Sequence, residues 1–213
     1  MMQISPAKEN ILKRIRQALV NPTPVPFPQS EGNSSVYTAQ SQENEVEFAE
    51  NFGRIQGRFL YCSNAEDMIE QLRQLITIQG WTQVFCRETA LLTLLQEPLK
   101  GLLIDDELPE ADVSITSCEA LIARTGSLLM SSAQESGRTV SVYAPVHICI
   151  AWSNQLVYDI RDGLDMMMEK YKNKIPSFIT LATGPSRTAD IEKTLVVGVH
   201  GPKDVYVFLI DAQ

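Results

Sequence analysis

The stretch RFLYCSNAEDMIEQLRQLITIQGWTQVFC, Arg58 to Cys86, reads as strand, helix, strand. Arg58–Cys62 is a short apolar run rich in β-formers, and Asn64 can cap a following helix with its side chain. Met68, Ile69, Leu72, Leu75 and Ile76 then recur at helical spacing as far as Gln79, and Gly80 stops the helix. Thr82–Cys86 returns to strand composition. A repeating strand–helix alternation implies a parallel sheet covered by helices.

The alternation continues downstream. Glu88–Gln96 reads as helix and Leu102–Ile104 as a short strand; Val113–Thr116 and Glu119–Ala123 repeat the strand–helix step. After Gly126 the texture changes, and Ser127–Ser131, Thr139–Tyr143 and His147–Trp152 read as consecutive strands. A helix from Asp159 to about Tyr171 follows, with Ile160, Leu164, Met167, Met168 and Tyr171 expected inward and the Met run filling core rather than binding metal. Phe178–Ala182 and Val205–Asp211 close the sheet. The β-rich second half implies antiparallel additions, so the expected fold is α/β, three-layer, with a mixed, mostly parallel sheet.

Upstream, residues 7–19 form an amphipathic pattern, with Ile11, Leu12, Ile15 and Leu19 on one face. Pro22, Pro24, Pro26 and Pro28 enforce an extended linker, polar residues run on from 29 to 45, and a short helix is expected from about Glu43 to Ile55. The organisation read from this is an arm, residues 1–45, and an α/β domain, residues 46–213. The arm's helix has three places to go: its own domain, a neighbouring subunit in a homo-oligomer, or another partner.

The chain's bulk properties narrow its function class. A net charge of −8 over 213 residues argues against non-specific nucleic-acid binding, which needs a basic surface. No apolar run approaches the roughly 20 residues that span a bilayer, and the N-terminus lacks an apolar signal core. The four cysteines, Cys62, Cys86, Cys118 and Cys149, form no CxxC pair, which makes a disulfide framework or a self-contained zinc or iron–sulfur site an unfavoured reading. Free thiols in apolar runs fit a reducing cytoplasm. Neither a GxGxxG after a strand nor a P-loop is present.

The chemistry-bearing segment is ITLATGPSRTADIEKTLVVGVHGP, Ile179 to Pro202. A strand ending in Thr183-Gly184-Pro185-Ser186-Arg187-Thr188-Ala189-Asp190 and entering a helix sets free backbone N–H groups and a guanidinium together, which suits a carboxylate or phosphate. The plainer reading is a Gly-Pro turn with a capped helix. Arg187 can clamp a carboxylate or pair on the surface with Asp190 or Glu192. Ser186 and Thr188 offer hydroxyls, and Asp190 can orient Arg187 or accept a proton. At the carboxyl ends of an open α/β sheet this loop would meet Arg124-Thr125-Gly126-Ser127 and the Pro145-Val146-His147 turn. Only His147 and His200 can supply an imidazole; each is a catalytic candidate or a loop-fixing group.

TGPSRTADIE followed by GVHGP resembles the C-terminal signature of the lactate utilization protein C family, the LUD domain. Asp112–Thr116, Ala120–Leu128, Ser131-Ser132, Arg138–Ser141 and Pro145–Ile148 resemble the family in order and spacing. The resemblance implies a fold similar to the ribose-5-phosphate isomerase, glucosamine-6-phosphate deaminase and CoA-transferase superfamily. It implies a subunit of a cytoplasmic system oxidising L-lactate to pyruvate. Such a subunit would bind a small carboxylate or phosphate, hold no cofactor alone, and work with iron–sulfur partner proteins. The alternative is a stand-alone isomerase- or cyclo-ligase-like enzyme acting on a phosphorylated or nucleotide-activated small molecule. Family members often carry Glu where Arg124 stands. A cation cannot attack an acyl group, so a CoA-transferase reaction is disfavoured unless Glu119 or Glu135 substitutes.

Overall fold

The computed structural model describes residues 6–20, 39–40, 42–105, 108–172, 174–191 and 194–212. It divides into two units, Met1–Ala39 and Gln40–Gln213. In the first, helix α1 (Pro6–Leu19) has Glu9 in its first turn and Arg16 in its last, as the helix dipole favours. The polyproline segment lies outside the described residues.

The second unit opens with α2 (Asn44–Arg54), whose first two residues lie on the arm side of a 45/46 boundary. Then come β1 (Arg58–Cys62), α3 (Ala65–Gln79), β2 (Val84–Cys86), α4 (Thr89–Leu95), β3 (Leu103–Ile104), β4 (Val113–Thr116), β5 (Ala120–Ile122) and β6 (Ser127–Ser131). After these follow α5 (Val140–Tyr143), β7 (Val146–Trp152), β8 (Leu156–Val157), α6 (Ile160–Tyr171) and β9 (Ile179–Ala182). The chain finishes with β10 (Arg187–Ile191), β11 (Thr194–Val197) and β12 (Asp204–Ile210).

The βαβ reading of Arg58–Cys86 holds in its local chemistry. The Asn64 side chain accepts from Asp67 N at 2.9 Å, and Gly80 closes α3 in the left-handed region. Six strands form a sheet in the order β1-β12-β7-β4-β2-β3, every neighbouring pair parallel. The last strand of the chain thus inserts between β1 and β7. DVYVFLI can occupy that place because it is apolar on both faces, as a doubly covered strand must be. Tyr206, Phe208 and Ile210 join Met68, Leu72 and Leu91 beneath α3 and α4. Val205, Val207 and Leu209 face the other way, with Cys149 and Ala151, and meet Phe48 and Phe52 of α2. Each such side chain contributes about 1.5–3 kcal/mol by leaving water.

The antiparallel pairings do not extend this sheet. Those of β5, β6 and β9 form a second one, with β8 added parallel to β5 in the order β8-β5-β6-β9, which stacks on the β7–β12 face through Leu121, Leu128 and Met130. Its outer face, Ala120, Ile122 and Leu129, is covered by Met167 of α6. The α/β class and the mostly parallel pairing match the sequence reading. The layer opposite α3 and α4 is a sheet with α2 beside it and α6 behind.

Four local expectations are corrected. Glu119–Ala123 is not a helix; Ala120–Ile122 is a strand with no exposed surface, too short and too apolar on both faces to form an amphipathic helix. Thr139–Tyr143 is not a strand but one helical turn. In α6, Leu164 and Met168 face outward, while Gly163 and Met167 are buried. A Cβ on Gly163 would lie 2.8 Å from Ile122 Cδ1, so the glycine face lets the helix sit close to the sheet. Finally, the TGPSRTAD segment enters a β-hairpin, β10 against β11, rather than a helix. The β-branched residues Thr188, Ile191, Thr194, Val196 and Val197 favour strand over helix there.

Candidate functional site

Both histidines line one cavity of about 240 Å³. His147 is the second residue of β7 and Val205 the second of β12, so the cavity lies at the amino ends of these parallel strands. The carboxyl-end placement expected for open α/β sheets does not hold here, because the cavity is a gap between stacked sheets. Met130 and Ser131 of β6 and Thr180 and Ala182 of β9 form the facing wall. Gly137, Arg138 and Ser141, ahead of and within α5, form a third side.

Two turns from the Ile179–Pro202 segment close the remaining side. Ser186 N donates to Pro202 O at 2.9 Å, and Gly198 N donates to Ser186 O at 2.9 Å. Lys203 N donates to Pro145 O at 2.7 Å, which fixes this closure to the start of β7. A Cβ on Gly201 would approach Ser186 Cβ to 2.9 Å, so the turns meet only because that position lacks a side chain. Gly184, Ser186, His200 and Gly201 all reach the cavity.

His147 is fully buried apart from 1% of its surface, and Nε2 lies 2.8 Å from Thr116 Oγ1. The Thr116 hydroxyl also donates to Ser117 O at 2.9 Å. A hydroxyl has one proton, so both contacts are satisfied when Nε2–H donates to Thr116, leaving Nδ1 as a bare acceptor. Burial pushes the His147 pKa down to about 4, so the ring is neutral at neutral pH. His200 is exposed at the rim. Arg138 stacks over Phe178, 5.4 Å from the ring centroid, and donates to Ser177 Oγ at 2.8 Å. Among the described residues, none that lines the cavity is acidic.

The remaining sequence candidates are placed elsewhere. Arg124 forms an ion pair with Asp159, Nε to Oδ2 2.6 Å, and Asn51 of α2 donates to the Arg124 carbonyl at 3.1 Å. Desolvation raises the Asp159 pKa, but the Arg161 N–H and the Arg124 guanidinium outweigh it and hold the carboxyl below its usual value. Gly126 adopts φ 60°, and a Cβ there would stand 2.6 Å from Phe52 N. Ser127 Oγ lies 2.8 Å from Thr125 Oγ1 and 2.8 Å from Thr183 Oγ1. Arg124–Ser127 and Thr183 therefore meet, as the sequence reading expects, but at the α2 corner rather than in the cavity. Arg187 donates to Ile55 O at 2.8 Å and Gln56 Oε1 at 3.1 Å and does not line the cavity. The side chains of Thr188 and Asp190 lie outside the described residues.

Glu119 and Glu135 also stand away from the cavity lining. Glu119 accepts from Lys170 Nζ at 2.8 Å, Ser131 Oγ at 2.6 Å and Tyr171 Oη at 2.7 Å, tying α6 to the second sheet. Glu135 accepts from Thr89 N. Among the lining residues that sequence reasoning left out of the site are Arg138, Ser141, Phe178 and Thr180. Arg138 and Ser141 belong to a segment that carries the family resemblance, and that was the available signal.

The fold and the cavity define an α/β domain of two stacked sheets with a cavity between them. The family model described as the LUD domain matches residues 46–210, and the chain belongs to the LUD domain family. It is similar to Lactate utilization protein C of Bacillus subtilis, 37% identical over 105 residues, 48% of this chain and 44% of that protein. Lactate utilization protein C of Deinococcus radiodurans is 32% identical over 105 residues, 49% of each chain. An uncharacterized protein of Neisseria meningitidis is 36% identical over 100 residues, 46% of this chain and 42% of that one. The chain thus spans less than half the length of these curated relatives. A crystal structure of a DUF162 family protein from Deinococcus radiodurans superposes with a TM-score of 0.57 at 20% identity, covering 78% of this chain and 96% of that one, a likeness of fold. Among the described residues, no helix is long and apolar enough to cross a membrane. No group of His, Cys, Asp or Glu among them is arranged to hold a metal ion.

Proposed function

We propose that this chain is a ligand-binding subunit in lactate utilization, and that the inter-sheet cavity holds a small carboxylate. One observation carries the reading: Arg138, both histidines and the hydroxyls of Ser141 and Ser186 converge on a cavity with no acidic residue among its described lining. A guanidinium held on an aromatic face is suited to a carboxylate. The names borne by the relatives support a part in lactate utilization, and the cavity's lining supports a carboxylate there. Oxidation of L-lactate to pyruvate releases two electrons. All four thiols are free and buried, and burial raises the pKa of Cys62 and Cys86 to about 12, which suits packing rather than ligation. Iron–sulfur partner proteins, in the cytoplasm, would take the electrons.

Isothermal titration of the full chain with L-lactate, pyruvate, ribose 5-phosphate and acetyl-CoA tests the reading. Binding of the small acids, weakened at least tenfold (about 1.4 kcal/mol) in Arg138→Ala, is the expected result. A response to ribose 5-phosphate alone would instead favour an enzyme acting on phosphorylated small molecules.

A further inference from the structure

Beside the hydroxyls of its lining, two polar groups of the cavity differ in kind. Arg138 carries a permanent positive charge and donors only. His147 is the opposite: with Nε2–H committed to Thr116, the ring offers one nitrogen, Nδ1, and that nitrogen is an acceptor. No hydrogen bond of the protein engages Nδ1 among the described residues, although the ring is almost wholly enclosed. An acceptor on a ring that lines a cavity, with no partner in the protein, takes its donor from whatever fills the cavity, a ligand or a water.

We propose that the cavity discriminates hydroxylated carboxylates from their keto counterparts, with His147 Nδ1 accepting the ligand hydroxyl while Arg138 holds the carboxylate. This rests on the carboxylate reading of the cavity. A 2-hydroxy acid presents an O–H beside its carboxylate and satisfies Nδ1. The matching 2-keto acid presents only oxygen lone pairs, which face the nitrogen lone pair and leave the acceptor unpaired. A site built to hydrogen-bond a hydroxyl rejects the analogue that lacks it, by tenfold or more. In a pathway that consumes lactate, the same rule frees the site of the keto product.

The rest of the lining extends the class. Met130, Val142, Phe178, Ala182 and Val205 are apolar, and about 240 Å³ is roughly eight waters' share of liquid volume. L-lactate fills only part of that space. Longer 2-hydroxy acids with apolar tails fit the same pocket, and each further methylene buried should tighten binding about fourfold.

The test is calorimetric titration of the full chain at pH 7.5 with L-lactate, pyruvate, propionate and L-2-hydroxyisocaproate. L-lactate should bind at least tenfold tighter than pyruvate or propionate, and L-2-hydroxyisocaproate tighter still. In Thr116→Val, Nε2 loses its acceptor and the ring is free to carry its proton on Nδ1, so the lactate-to-pyruvate preference should fall by tenfold or invert. A purely structural His147 would leave that ratio unchanged. Should Thr116→Val fail to fold, His147→Phe offers the second route: it removes Nδ1 without putting another acceptor in its place, Thr116 keeps its bond to Ser117 O, and the preference should be erased. Equal affinities for lactate and pyruvate, both lost in Arg138→Ala, overturn this proposal while the carboxylate reading stands. Silence toward every acid overturns both.

Discussion

Replacing His147 with Gln tests the buried imidazole through stability. The ring titrates at about 4 in the folded chain, against an ordinary 6.5. The unfolded chain therefore takes up the proton first as pH falls, and stability is present in full above 6.5 and lost progressively down to about 4. The full shift corresponds to about 3 kcal/mol, of which about 2 kcal/mol is lost between pH 7.5 and pH 5. Arg138 lines the same cavity, and its positive charge opposes a second cation there. The carboxyls with lowered pKa, Asp67, Asp112, Glu119 and Asp159, lose their contributions only below ordinary values of 3.8 or 4.5. The window from 6.5 to 5 is therefore where His147 acts apart from them. Urea unfolding of the wild type and His147→Gln at half-unit steps from pH 7.5 to 5 reads the effect, because Gln preserves a donor for Thr116 and does not titrate. The variant should be flatter across the window by about 2 kcal/mol. Parallel profiles for the two proteins would refute the buried, neutral imidazole.

Gly126→Ala should cost several kcal/mol in urea unfolding, since it combines a left-handed φ with a backbone clash against Phe52 that no side-chain rotation relieves. Glu119→Gln should destabilise the domain by about 2–4 kcal/mol, because Lys170, Ser131 and Tyr171 lose a charged acceptor that is 2% exposed. Arg187→Ala, by contrast, removes an exposed tie to Ile55 and Gln56 and should cost no more than about 1 kcal/mol, with carboxylate binding in the cavity weakened less than by Arg138→Ala. Deleting residues 1–39 should leave a cooperatively unfolding domain, whereas Phe48→Ala should cost about 3–5 kcal/mol; loss of cooperativity in the truncated chain would show that the arm belongs to the core.

The sequence alone settled what depends on local periodicity and local caps. The stripe from Met68 to Ile76, bounded by Asn64 and Gly80, fixes α3 because helical spacing and end chemistry act within one segment. The Val205–Asp211 run likewise announces a strand, though not its place between β1 and β7. Family membership was legible in TGPSRTADIE and GVHGP, and so was the meeting of the Thr183–Ser186 turn with the His147 region. What no local pattern records is which layer a strand joins. Ala120–Ile122 reads as part of a helix and Ser127–Ser131 as an antiparallel addition to the main sheet, and only the packing of Leu121, Leu128 and Met130 against Val207 and Cys149 makes them a second sheet. That stacking creates the gap at the amino ends of β7 and β12. It recruits Arg138 and Ser141, turns Arg187 toward α2, and leaves the Arg124 corner as scaffold. The identity of the site thus follows from sheet-on-sheet contact between segments distant in sequence, a tertiary property that residue spacing does not encode.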